Sequence, residues 1–62
     1  MNTYKFWTDG GDEDNIEATT LREAAEIASE KIPIRCWNDG AWGIVKDEES
    51  GEQMDVPSRA TD

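Results

Sequence analysis

TLREAAEIASEKI, residues Thr20–Ile32, is the stretch on which the reading of this chain turns. Thr20 and Glu23 have the spacing of a capping box, in which the hydroxyl takes an orphan amide and the carboxylate reaches back. Leu21, Ala24, Ala25, Ile27, Ala28 and Ile32 then recur at helical spacing and define one apolar face. Arg22, Glu23, Glu26, Ser29 and Glu30 fall on the opposite face. Pro33 lacks an amide hydrogen and disfavours a helical Ile32, so the helix is expected to stop there. Three of its apolar positions are Ala, which lets it lie close to whatever it covers.

Upstream, TYKFWT (Thr3–Thr8) reads as a strand with Tyr4 and Phe6 on one face and Lys5 and Trp7 on the other. DGGDED (Asp9–Asp14) reads as a turn, and NIEA (Asn15–Ala18) as a short strand with Ile16 and Ala18 on one face. Downstream, IRCW (Ile34–Trp37) is followed by Asn38-Asp39-Gly40-Ala41. Asp-Gly as a two-residue loop predicts a type I′ hairpin, with Trp37 facing Trp42 and Cys36 facing Gly43. KDEESGE (Lys46–Glu52) is a polar loop, and QMDV (Gln53–Val56) a last strand closed by Pro57. The expected architecture is α+β: a single helix packed on a small antiparallel sheet in ββαβββ order. Residues 1–57 form the domain, and SRATD (Ser58–Asp62) is expected to fray.

One helix covers one side of such a sheet. Pattern assigns Tyr4, Phe6, Ile16, Ile34, Cys36, Val45, Met54 and Val56 to the covered side. Trp7, Trp37, Trp42, Arg35 and Ile44 fall on the other. Each buried aromatic removes about 150–250 Å² from water, so three exposed Trp would forgo much stabilisation. Either they form a second small core against the Arg35 and Lys5 stems, or part of that surface meets a partner. Neither side is cleanly polar, so the assignment can also be inverted.

Composition excludes several functions. With 62 residues and no His, the chain has little room for an enclosed substrate pocket. Its single Cys36 has neither a disulfide partner nor an activating imidazole, and reads as a small core residue. No phosphate loop or Gly-x-Ser-x-Gly occurs, and the acids of Asp9–Asp14 and Asp47–Glu49 lack the EF-hand spacing. The chain therefore reads as no enzyme, with no cofactor and no dedicated metal. No apolar run approaches the roughly 18 residues of a membrane span, and MNTYKF is no signal peptide. The expected setting is the cytoplasm, without membrane contact.

Charge is the dominant compositional fact. Fifteen acids face six bases, a net charge of −9, and no basic cluster speaks for direct nucleic-acid binding. The acids gather in two loops and on the helix ridge Glu23, Glu26 and Glu30. Glu26 and Glu30 are an i,i+4 like-charge pair that Arg22 can offset by pairing with Glu26. Such rows are attracted to basic grooves built for polyanions. A small acidic chain with this T-L-R-E-A-A-E-I-A helix and hairpin layout resembles the phage-encoded inhibitors of bacterial defence, anti-CRISPR proteins in particular. The likeness spans Tyr4–Val56 and rests on size, charge and layout, so no functional residue carries over from it. It implies a non-catalytic protein, acting in the bacterial host's cytoplasm, that binds a basic surface of a CRISPR effector and blocks DNA or partner access as a DNA mimic. The residues expected to touch that partner are Glu23, Glu26 and Glu30, Asp47, Glu48 and Glu49, with Trp42 as an aromatic anchor. The molecule would act as a monomer or homodimer. The alternative is a small structural module of a phage or halophile whose acidity serves solubility only.

Overall fold

A computed structural model of the chain describes residues 1–61. The elements are β1 (Asn2–Thr8), β2 (Glu13–Ala18), α1 (Leu21–Lys31), α2 (Ile34–Asn38), β3 (Gly43–Lys46) and β4 (Gln53–Asp55). The strands form one antiparallel sheet in the order β2-β1-β3-β4, and α1 lies across one side of it. The α+β class and the packing of one main helix on a small antiparallel sheet are as expected.

Helix α1 begins as its sequence dictates. Thr20 is extended (φ −139°, ψ 162°), and its hydroxyl accepts the Glu23 amide at 3.1 Å. The Glu23 carboxylate reaches back to Thr19, accepting from its amide at 3.2 Å and from its hydroxyl at 3.0 Å. Ala24, Ala25 and Ala28 are fully buried, so the small side chains bring the helix close to the sheet. Ile32 leaves the helical region (φ −92°, ψ 123°) just before Pro33.

Register settles the faces. Tyr4 pairs with Ile16, and Phe6 with Asp14 and Val45. Tyr4, Phe6, Ile16, Val45 and Val56 are all buried, and Met54 packs against them. Gly43 completes this side. A methyl group there would meet Phe6 Cε1 at 3.0 Å, the Trp7 carbonyl at 3.3 Å and Val56 Cγ2 at 3.3 Å.

The departure from expectation is the segment after Pro33. Ile34–Trp37 is no strand: it forms the helical turn α2, so the order of elements is ββααββ. A type I′ turn needs positive φ at both Asp39 and Gly40. Asp39 instead has φ −88°, and only Gly40 is left-handed, at φ 91°. The Gly40 amide donates to the Trp37 carbonyl at 3.1 Å and the Ala41 amide to the Cys36 carbonyl at 3.0 Å. These two bonds are a Schellman motif, the glycine termination of a helix. Burial explains the choice. As a helix, this segment turns Trp37 into the core, 3 % exposed, with its indole N–H donating to the Ser29 carbonyl at 3.0 Å. As a strand it would have left that indole on the side α1 does not cover.

Two further corrections follow. The three Trp do not share a face: Trp37 is core, Trp7 is half-buried on the open side, and Trp42 is 51 % exposed. Ile34, expected under the helix, is 42 % exposed, and Cys36 is half-buried on α2. The first turn is also tighter than expected. The Thr8 amide donates to Asp12 O at 3.1 Å, which frees Glu13 and Asp14 to join β2. Residues 58–61 are exposed and irregular, with the Thr61 amide donating to Asn38 Oδ1 at 2.7 Å. Residue 62, the end of the segment expected to fray, lies outside the described residues.

Candidate protein-binding surface

The seven residues expected to meet a partner occupy three separate places. Glu23, Glu26 and Glu30 are exposed along α1. At 1.5 Å rise per residue, Glu23 and Glu30 lie about 10 Å apart along the axis. Asp47, Glu48 and Glu49 sit in the β3–β4 loop. That loop is at the same end of the sheet as the start of α1, because β3 runs from Gly43 opposite Thr8 to Lys46 opposite Lys5. Trp42 stands at the other end, just before β3. There the Asp9 amide donates to its carbonyl at 3.2 Å, and its own amide reaches Asp9 Oδ1 at 3.4 Å.

Two of the six carboxylates are already engaged. Glu23 holds the Thr19 amide and hydroxyl, so it is part of the helix cap. Asp47 accepts the Glu49 amide at 2.9 Å, shaping a loop closed by the Asp47 amide on Glu52 O at 2.8 Å. The Glu26, Glu30, Glu48 and Glu49 carboxylates have no hydrogen bond or ion pair among the described residues. There the ion pairs are Lys5 Nζ–Glu13 Oε1 at 3.4 Å and Lys31 Nζ–Asp14 Oδ2 at 3.7 Å. The expected Arg22–Glu26 pair is not formed. Both observed pairs are solvent-exposed and contribute at most about 1 kcal/mol each.

The open side of the sheet has a different character. Trp7 stands opposite Ile44, and Lys5 opposite Lys46, all half-buried. Two like charges side by side are mildly unfavourable. Lys5 is drawn to Glu13, which leaves Lys46 beside Gln53. Sequence reasoning placed Lys5, Trp7 and Ile44 on this side but missed the Lys5–Lys46 juxtaposition, which follows only from the β1–β3 register.

Among the described residues no group of His, Cys, Asp and Glu is arranged to hold a metal ion, and no helix is long and apolar enough to cross a membrane. No protein family, curated protein or solved structure matches this chain, so its surfaces carry the functional reading alone.

Proposed function

We propose that this protein is a non-catalytic inhibitor of the anti-CRISPR type, which sets its carboxylates against a basic surface of a nucleic-acid-binding defence complex and keeps DNA or a partner subunit away. The observation that carries this reading is the state of its acids. Of the fourteen described, Glu13 and Asp14 alone sit in ion pairs, leaving twelve facing solvent or held by local hydrogen bonds. Glu26 and Glu30 keep a like-charge spacing that costs a few tenths of a kcal/mol, and Arg22 does not relieve it. A basic groove would, and long-range attraction would speed the encounter.

The test is made in bacteria carrying an active CRISPR system, with a phage that the system targets. Expression of the protein should restore plaque formation. The double charge reversal Glu26→Lys/Glu30→Lys should cut that restoration at least about tenfold while the far-ultraviolet circular dichroism stays unchanged, since both side chains are exposed. Full activity of the reversed variant would remove α1 from the contact. No protection by the folded protein against any CRISPR type tried would leave the acidity as an aid to solubility.

A further inference from the structure

A concave surface lies at the end of the molecule away from the β3–β4 loop. A cleft of about 620 Å³ opens between the β1–β2 turn and the junction of α1 with α2. Its floor is apolar, made by Phe6, Ile32, Pro33, Cys36 and Ala41. Its walls carry Asp9, Asp12, Glu13 and Asp14 from the turn and Asp39 from the end of α2, with Lys31 as the one cation lining it. Lys5 and Lys31 pair with Glu13 and Asp14. Asp9, Asp12 and Asp39 have no cationic partner among the described residues. The C-terminal end of α1 also abuts the cleft and adds partial negative charge.

We infer that this cleft seats an arginine-bearing segment of a protein partner. Charge complementarity selects the head group. A guanidinium offers five donors in a planar fork and pairs with carboxylates two bonds at a time. The apolar floor selects the rest of the ligand, because an arginine carries a hydrophobic stem behind its charge. The volume lies within the range of small-ligand sites and has room for the arginine and one apolar neighbour. A lone metal ion would leave the floor unused, and the acids do not converge on one point. The inference rests on the reading of a basic protein partner and names one place where such a partner would be gripped.

Cys36, the only cysteine of the chain, is half-buried in this cleft and reports on it directly. Its modification rates are measured with a trimethylammonium and a sulfonate methanethiosulfonate, each normalised to a small neutral thiol. The cationic reagent should be favoured by at least about tenfold at low salt. The peptide acetyl-Arg-Leu-Arg-amide should slow the reaction at least about threefold, and acetyl-Glu-Leu-Glu-amide should not. In Asp12→Asn/Asp39→Asn, whose altered side chains are exposed and take no part in the described hydrogen bonds, both effects should fall at least about twofold with the fold intact. Equal rates for the two reagents, protection by the glutamate peptide, or protection undiminished in the double variant would overturn the inference. Spermidine protecting as well as the arginine peptide would overturn the assignment to a protein segment. Because the assay contains no defence complex and leaves α1 untouched, failure here and failure of the plaque assay are separable.

Discussion

The two sides of the sheet hold comparable side chains and meet different fates. Under α1, Tyr4, Phe6, Ile16 and Val45 are sealed from water by a ridge of alanines. On the other side, Trp7 and Ile44 sit half-buried beside Lys5 and Lys46, with no helix packed over them among the described residues. The same split separates two tryptophans five residues apart in one connection: Trp37 is enclosed and Trp42 protrudes. Burial, not residue type, decides what each does. The covered side carries the stability of a small domain, where each large buried side chain counts heavily. The acidic edges contribute little to that burial, because the Glu26, Glu30, Glu48 and Glu49 side chains are exposed.

The largest effect should come from opening the covered side. Trp37→Ala removes a buried indole and its hydrogen bond to Ser29, and should cost about 3–5 kcal/mol in urea unfolding. A loss below about 1 kcal/mol would show that α2 contributes little to the core. On the exposed side, Trp42→Ala should change stability by less than about 0.5 kcal/mol. A loss as large as that at Trp37 would erase the contrast between the two indoles.

Much of this architecture was legible in the sequence because its signals are local. Thr20, Glu23, the alanine spacing and Pro33 define α1 within thirteen residues. Alternation in Thr3–Thr8 and Asn15–Ala18 places the correct side chains under it. The segment from Ile34 to Ala41 was not legible, because Asn-Asp-Gly suits a hairpin turn and a helix end equally well. The two differ in the φ of Asp39, and that angle follows from where Trp37 finds burial, a long-range outcome. The candidate surface divides in the same way. That Glu26, Glu30, Glu48 and Glu49 are exposed follows from composition and pattern, whereas pattern leaves Trp42 open between a second small core and a contact surface, and the structure has it 51 % exposed. That Trp42 and the β3–β4 loop lie at opposite ends follows from their places before and after one strand; that Asp39 meets the first turn across a cleft follows from the chain reversal made by α2. No local motif announces that reversal.

If the fold is carried by the covered side and the carboxylates are left over for contact, the domain has no need of salt. The direct measurement is the free energy of unfolding by urea in dilute buffer and again in molar sodium chloride. The protein should be folded in both, with screening of its self-repulsion adding no more than about 1 kcal/mol. A chain that is unfolded in dilute buffer and acquires structure only toward molar salt would contradict the account, because its acidity would then serve solvation and not recognition.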